Sequence, residues 1–426
     1  MSFRIKSVRF ENKTISGFVD GLSNDGNESN HYTLIIGNNG CGKSTLMKTI
    51  SLYFSKESSS KSYSANVDTN GLFPSRTIVS TNGIGDTYYK AYSTIPDMQT
   101  PYIYLGTRGN YSKKFLFERA CMIFIESNLE DEQLCLNEEL CKFVGYSTRF
   151  RLVYKLNKTK KEILDSMKAN KDKFKILENE TISISNYNWD KGEVAELFID
   201  FKSPKNLDFH GKGGLNIFKI LRKINAYKLT NVFVSKYDSF LNTFSADNMS
   251  SGEVNLLTSL LSLNASIIQN SLILIDEPEI SLHPEWQIKY MSKIHDIVNL
   301  TTGCHVIIAS HSHFLVSDLD PNNSTLLILE KNSNNNNGFN ITSRSPKSSP
   351  YAWSAENILM EVFNVSSTRN FYFAQKIEQA LTLLGKHNRD EKELQDVIQK
   401  IKMVYPSLSE NDPLHKVAQI IINNHV

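Results

Sequence analysis

The stretch "TLIIGNNGCGKSTLMKTI", residues 33–50, joins an apolar run to a glycine-rich turn and then to a helical pattern. It matches G-x-x-x-x-G-K-[ST], in which glycines let consecutive backbone N–H groups face inward and bind phosphate. The helix that follows adds its positive N-terminal end. The pattern predicts a phosphate loop made of Gly37, Asn38, Asn39, Gly40, Cys41, Gly42, Lys43, Ser44 and Thr45.

Two side chains of this loop have expected chemical roles. Lys43 would reach the β and γ phosphates of ATP as a point charge, and Ser44 would offer its hydroxyl to Mg²⁺. A chance glycine turn is the alternative, but an apolar strand before the turn and a helix after it disfavour that reading. Cys41 is interpreted as a small residue tolerated in the loop rather than as a redox switch.

A second stretch, "SLILIDEPEISLHPEW" at residues 271–286, ends an apolar run in two carboxylates. Buried parallel strands have continuous apolar sequences, and ligands bind at their carboxyl ends. Asp276 is predicted to hold Mg²⁺ indirectly, through groups that are themselves bound to the ion. Glu277 is predicted to polarise a water molecule toward the γ-phosphate. A solvated Asp–Glu pair is the alternative, which the apolar run and the following proline disfavour.

Composition limits the classes of protein to consider. The chain has 426 residues, 40% of them hydrophobic and 22% charged, as in a globular protein with a substantial core. Its net charge of +2 means that any affinity for nucleic acid must come from local patches. The five cysteines include no CxxC pair, so we expect reduced thiols in a cytoplasmic protein and no zinc site. No apolar run is long enough to predict a membrane span.

The order of the patterns predicts an α/β fold of the P-loop NTPase class. Strands that alternate with helices imply a parallel sheet with crossovers. Residues 1–112 and 241–345 are expected to form the two parts of an ATPase head. Residues 113–240 are predicted to be an inserted, mostly helical α/β lobe, and residues 346–426 a C-terminal helical accessory domain.

The stretch "NMSSGEVNLL", residues 248–257, resembles an ordinary helix cap when it is considered alone. Between a phosphate loop and an acidic strand, however, its Ser250, Ser251, Gly252 and Glu253 resemble the signature motif of ATP-binding cassette (ABC) ATPases. "SLHP" at 281–284 is similar to the D-loop of that family, and His311 to its switch histidine. The resemblance covers roughly half of the chain.

This resemblance implies a site shared between two copies. In the family, the signature motif of one head covers the γ-phosphate bound by the other head of a head-to-tail dimer. Ser250 and Gly252 would therefore complete the partner's site. The implied protein is an ATPase that uses ATP and Mg²⁺ as a homodimer or higher even oligomer, with Lys43, Glu277 and His311 as its catalytic residues.

The family's Q-loop glutamine is missing from its usual place after the strand "RTIVST". Gln99 lies in a different stretch. Ser80 and Asp86 are the weak candidates for the residue that senses the metal.

Several stretches resemble the Septu-type ATPases, including those attached to retrons. They are "PSRTIVSTNGIGDTYY", "YIYLGTRGN" and "IIASHSHFLVSDL", the last with His313 where many relatives have proline. This resemblance implies bacterial anti-phage defence beside a separate HNH nuclease, or beside a retron reverse transcriptase with its DNA–RNA hybrid. No nuclease centre is expected in this chain, because Asp318 and Asp320 are interpreted as part of a turn.

Two other functions stay open: a DNA-repair ATPase clamp, and a scaffold locked by ATP with very slow hydrolysis. Direct nucleic-acid binding is plausible through a lysine-rich part of the lobe, although a solvated helix explains the same charges. Arg108, in a glycine-flanked loop, is a further candidate contact. The lysine-rich part of the lobe contains Lys155, Lys158, Lys160, Lys161, Lys168, Lys171, Lys173 and Lys175.

Overall fold

The computed structural model describes residues 2–10, 13–19, 29–55, 66–69, 71–83, 88, 98, 100–107, 111–170, 178–239, 242–334, 338–346, 351, 353–363, 371–385, 390–408 and 413–423. The chain divides into two compact units, Met1–Ala352 and Trp353–Val426.

A seven-stranded sheet forms the centre of the first unit. Its strands, in chain order, are β3 (His31–Gly37), β5 (Arg76–Thr81), β6 (Tyr102–Tyr104), β12 (Ser271–Asp276), β13 (His305–Ser310), β14 (Ser324–Asn334) and β15 (Gly338–Arg344). Their order across the sheet is β15-β14-β3-β13-β12-β5-β6, and all pairs are parallel except β14 with β15. The parallel strands therefore end at one edge of the sheet.

The apolar sequences explain why these strands lie in the middle. Every residue of β12 and β13 is buried, and so are the first six of β3. A small antiparallel sheet joins this core, with the order β2 (Lys13–Ser16), β1 (Ser7–Phe10), β4 (Asn66–Asp68). Helix α1 (Lys43–Phe54) follows β3 and buries Leu46 and Ile50 in the same cluster.

The inserted lobe contains an antiparallel sheet and the helices around it. Its strands, in the order β11-β10-β7-β8-β9, are β7 (Arg149–Leu156), β8 (Val194–Asp200), β9 (Asp208–His210), β10 (Tyr227–Ser235) and β11 (Thr243–Ser245). Its helices are α2 (Lys113–Glu126), α3 (Asp131–Val144), α4 (Lys160–Ala169), α5 (Glu178–Ser185) and α6 (Gly214–Lys223). Phe117 of α2 packs on Phe150 of β7, and Phe218 of α6 packs on Tyr154, so both helices cover the same face of the sheet.

The chain returns to the central sheet through α7 (Ser251–Ser266), and α8 (Pro284–Val298) connects β12 to β13. Residues 256–276 form the larger part of α7 followed by the strand β12. Short 3₁₀ turns lie at Pro204–Asn206, Ala246–Asn248 and His313–Leu315.

The second unit is helical throughout its described residues. It consists of α9 (Ala355–Glu361), α10 (Phe371–Leu384), α11 (Glu391–Val404) and α12 (Pro413–Asn423), with a 3₁₀ turn at Tyr405–Ser407. Its own core includes Phe373, Ile377, Leu394, Ile398 and Ala418.

No helix within the described ranges has the length and apolar character needed to cross a membrane.

Candidate nucleotide site

The loop between β3 and α1 has the backbone that its glycines allow. Gly40 and Gly42 have φ angles of 76° and 94°, in the left-handed region that other residues rarely adopt. A Cβ on Gly37 would collide with the carbonyl oxygen of Leu329 and would lie 2.7 Å from Cys41 Sγ. The loop is thus closed tightly against β14, and these positions need glycine.

Lys43 lies at the centre of the site. Its Nζ donates to the carbonyl oxygen of Gly37 at 2.8 Å and lies 2.9 Å from Nε2 of His311. Burial lowers the pKa of Lys43, while the nearby Cys41, Glu277 and Asp276 partly oppose that shift. The lysine of the phosphate loop and the predicted switch histidine are therefore brought into direct contact.

Asp276 ends β12 beside the start of α1. Ser44 Oγ donates to Oδ1 of Asp276 at 3.3 Å, and the Tyr88 hydroxyl donates to Oδ2 at 2.8 Å. Burial raises the pKa of Asp276 to about 6, and the two hydrogen bonds and Lys43 only partly oppose it. A cation beside this carboxylate would offset its desolvation.

The oxygens of Ser44 and Asp276 fit Mg²⁺, which prefers hard oxygen ligands. No group of three or more His, Cys, Asp or Glu side chains that could hold a metal exists among the residues described above. Mg²⁺ bound to nucleotides commonly takes one or two protein oxygens and completes its shell with phosphates and waters. A cage of protein ligands is therefore not required here.

Glu277 follows directly and points to the same edge. Its φ angle is 51°, and its N–H donates to the carbonyl oxygen of Ala309 at 2.8 Å. Its Oε1 lies 3.7 Å from His311 Nε2, and its side chain is 27% exposed. A partly exposed carboxylate can reach a water molecule, as general-base chemistry requires.

His311 is fixed by a residue that the sequence analysis did not single out. Oε1 of Glu279 accepts the backbone N–H of His311 at 2.5 Å. Burial raises the pKa of Glu279, and burial together with Lys43 lowers the pKa of His311. The second glutamate of "DEPE" therefore ties the acidic strand to the histidine, and only its spacing from Glu277 could have suggested this.

The signature-like turn begins α7 with a capping box. Ser250 Oγ accepts the N–H of Glu253 at 3.1 Å, and Oε2 of Glu253 accepts the N–H of Ser250 at 2.7 Å. Ser250 and Ser251 are exposed. A hydroxyl that accepts a hydrogen bond can still donate its own hydrogen, so Ser250 keeps a donor for a ligand.

The inserted lobe holds this turn from one side and the D-loop-like segment holds it from the other. Lys236, just after β10, pairs with Glu253 at 3.2 Å. Gly252 is buried against the carbonyl oxygen of Ser281, with no room for a Cβ, and Ser281 has a φ angle of 67°. Within the described ranges, no hydrogen bond or ion pair connects residues 250–253 with residues 37–45 of the same chain.

The other residues that the sequence suggested for binding either lie away from the site or fall outside the residues that the structure describes. Ser80 is buried inside β5, opposite Ile275 rather than Asp276. The segment after β5 reaches the acidic strand through Asn82, whose Nδ2 donates to the Pro278 carbonyl at 3.1 Å, and through Tyr88. Asp86, Gln99, Arg108, Lys171, Lys173 and Lys175 lie outside the described residues.

Among the described lysines of the lobe, Lys158 has an internal role. Its Nζ donates to the carbonyl oxygen of Ile224 at 2.7 Å and to Ser166 Oγ at 2.9 Å. Lys155 is exposed on β7. The lysine-rich stretch is thus partly structural.

Comparison with known proteins gives a partial family match. A family model described as "AAA domain, putative AbiEii toxin, Type IV TA system" matches residues 155–317. This is less than half of the chain. It includes the signature-like turn, the acidic strand and His311, but not the phosphate loop.

A solved structure titled "Crystal structure of the SmcHead bound to the C-winged helix domain of ScpA" is similar at 11% identity. The match covers 82% of this chain and 98% of that chain, with a TM-score of 0.31. No curated protein sequence matches. Its parallel central sheet and the phosphate loop between β3 and α1 give the chain the α/β fold of the P-loop NTPase class.

Proposed function

We propose that this protein binds ATP with Mg²⁺ and hydrolyses it at sites completed by a second copy of the chain. The observation that carries the proposal is the convergence of Lys43, Asp276, Glu277 and His311 at the carboxyl edge of one parallel sheet. These residues come from separate parts of the sequence. A lysine, a metal-binding carboxylate and a general base are the parts that phosphoryl transfer to water needs.

Each part has a role that follows from its position. The backbone N–H groups of the loop and the N-terminal end of α1 bind the phosphates. Lys43 exchanges its contacts with Gly37 and His311 for phosphate oxygens. Ser44 and Asp276 hold Mg²⁺, which neutralises phosphate charge when it is bound. Glu277 accepts a proton from the attacking water, and His311 orients that water or the γ-phosphate.

The second copy supplies the signature-like turn. The exposed hydroxyl of Ser250 and the N-terminal end of α7 form a surface that favours an anion. In the family that this turn resembles, the motif covers the triphosphate of the other copy, and the exposure of Ser250 leaves its hydroxyl accessible for that contact. ATP would then hold the two copies together, and hydrolysis would release them.

ATP turnover tests the enzymatic part of the proposal. Glu277→Gln should reduce hydrolysis by about 10²-fold or more, since a general base contributes on that order. The variant should still bind ATP. Glu378→Gln, which changes an exposed carboxylate of α10, is the matched control and should hydrolyse ATP at the wild-type rate. Equal rates for all three proteins would refute a catalytic role of Glu277.

We further propose that the ATP-bound assembly regulates a separate nuclease effector in bacterial anti-phage defence. The support is the Septu-like sequence of residues 74–89, 102–110 and 307–319. Oδ1 of Asp320 accepts the N–H of Asn322 at 3.0 Å within a turn. We therefore propose that this carboxylate is a turn residue and that the nuclease is a separate chain. Co-expression with an HNH nuclease or a reverse transcriptase encoded by a neighbouring gene should protect cells from phage, whereas this chain alone should not.

The matched family suggests a second function, because its description names a toxin. If the chain were such a toxin, its expression alone would stop growth without phage. Growth curves of cells that express the chain alone therefore distinguish the two functions.

A DNA-repair clamp with a long coiled coil has less support. The lobe's helices α2 and α3 have 14 residues each, and both pack within the lobe or against α7. A scaffold locked by ATP is excluded if the wild type turns over ATP repeatedly.

A further inference from the structure

We propose that Tyr88 is a positioning residue of the magnesium site: its hydroxyl holds Asp276 in the orientation that Mg²⁺ binding requires. This inference rests on the proposed ATPase function.

The two oxygens of the Asp276 carboxylate face two different hydroxyl groups. Oδ1 accepts from Ser44 at 3.3 Å, and Oδ2 accepts from Tyr88 at the shorter distance of 2.8 Å. Ser44 is the residue expected to give its oxygen to Mg²⁺, so its bond to Asp276 is exchanged when the ion binds. The hydrogen bond from Tyr88 does not compete with the metal and can persist.

The phenol of Tyr88 is buried among other core side chains. Tyr88 is only 4% exposed and belongs to the buried cluster that includes Tyr102 and Tyr104 of β6 and Leu272 and Leu274 of β12. A donor fixed by packing fixes the carboxylate that it binds, and partners of this kind tune metal affinity.

Asn82, which precedes Tyr88 in the chain, also contacts the acidic strand. The N–H of Asn82 donates to the carbonyl oxygen of Asp276 at 3.3 Å, and its side chain bonds Pro278 at 3.1 Å. The start of the connection between β5 and β6 therefore follows the main chain of Asp276, while Tyr88 reaches its side chain. In this part of the chain, the sequence analysis named only Ser80 and Asp86 as candidates for the residue that senses the metal.

Tyr88→Phe removes the hydroxyl and keeps the ring in the core. Tyr102→Phe is the matched control, because Tyr102 is also 4% exposed in the same cluster but its hydroxyl pairs with Ser51 Oγ at 2.7 Å. The experiment measures binding of a fluorescent ATP analogue, first in EDTA and then as Mg²⁺ is added. Tyr88→Phe should bind the analogue normally in EDTA and need about 10- to 100-fold more Mg²⁺ for the Mg²⁺-dependent change. Tyr102→Phe should match the wild type in both.

Any of three other results would overturn the role of Tyr88. If Tyr88→Phe shows the wild-type Mg²⁺ midpoint, the inference is wrong while the ATPase proposal stands. If Tyr88→Phe also loses binding in EDTA, Tyr88 maintains the fold of the site, and the inference is again overturned. If the wild type itself binds no nucleotide, the proposed function fails, and the inference fails with it.

Discussion

Lys43 Nζ lies 2.9 Å from Nε2 of His311, although 268 positions separate the two residues in the chain. The lysine begins α1 after β3, and the histidine follows β13, which is the neighbour of β3 in the sheet. Parallel pairing brings the two strand ends together, so the contact follows from the topology. A neutral histidine can accept a hydrogen bond from the lysine, and burial and Lys43 both lower the pKa of His311.

Lys43→Met should strongly weaken nucleotide binding without destabilising the empty protein. The ammonium group is buried, and its lowered pKa shows that its desolvation is incompletely offset. A methionine of similar length removes that penalty. We expect at least about 10²-fold weaker binding of ATP, with an unfolding temperature equal to or above that of the wild type. Lys48→Met, on the same helix, should bind ATP normally. A large loss of stability in Lys43→Met would contradict this argument.

Glu279→Ala should slow hydrolysis more than it weakens ATP binding. The substitution removes the acceptor that fixes the backbone of His311 at 2.5 Å. Glu279→Gln keeps an oxygen acceptor and is the control. We expect kcat to fall about tenfold or more in the alanine variant and much less in the glutamine variant, since a mispositioned catalytic group loses rate steeply. Steady-state kinetics checks this, and equal kcat values for the two variants would refute the role of Glu279.

Gly252→Ala should damage the signature-like turn. A Cβ at this position would collide with the carbonyl oxygen of Ser281. Overpacking of this kind typically destabilises by about 1–3 kcal/mol. Gly385→Ala is the control, because the nearest atom to its new Cβ would be at an ordinary 3.6 Å. Denaturant unfolding should show the loss only in Gly252→Ala. The same variant should also require more ATP to form the assembly.

Two buried histidines, His31 and His305, lie at the end of the central sheet away from the nucleotide site. They should make the free energy of unfolding decrease in acid. His305 accepts the N–H of Ile5 at 3.1 Å and lies 2.9 Å from Thr33 Oγ. Burial lowers the pKa of His31 to about 4, and burial also lowers the pKa of His305 well below its ordinary value. Because the folded-state pKa lies below the unfolded value, the unfolded chain binds protons first. Stability is therefore complete above about pH 6.5 and decreases toward pH 4, by up to about 1.4 kcal/mol per pH unit for each histidine.

Urea unfolding between pH 7.5 and pH 5 measures this slope. His31→Gln should reduce it, while His210→Gln, which changes an exposed histidine, should leave it unchanged. Comparison with the wild type cancels the contribution of Asp276, whose raised pKa acts in the opposite direction. A slope that His31→Gln does not alter would contradict the assignment.

The sequence could predict the elements whose apolar runs are continuous. The runs at residues 33–36, 272–275 and 305–309 form the parallel strands β3, β12 and β13, and Ser250 caps α7 as its pattern indicated. These features depend on local sequence, because burial on both faces and a capping box are visible along the chain.

The pairs Tyr88–Asp276 and Glu279–His311 could not be predicted in the same way. Tyr88 and Asp276 are 188 positions apart, and their hydrogen bond depends on β5 pairing with β12 in one particular register. Glu279 lies in a turn without periodic pattern, and its partner is a backbone N–H. Sequence patterns give residue types and spacing, whereas these contacts depend on tertiary placement.

The sharing of each site between two copies is tested most directly by mixing two inactive variants. Lys43→Met disables the phosphate loop, and Ser251→Glu places a negative charge at the exposed turn, where the start of α7 tolerates it but a partner's triphosphate does not. A mixed dimer contains one site with both an intact loop and an intact turn. If each site is shared between two copies, each variant alone is inactive and mixing restores roughly a quarter of wild-type ATP hydrolysis. Full activity of Ser251→Glu alone, or no recovery in the mixture, would contradict it.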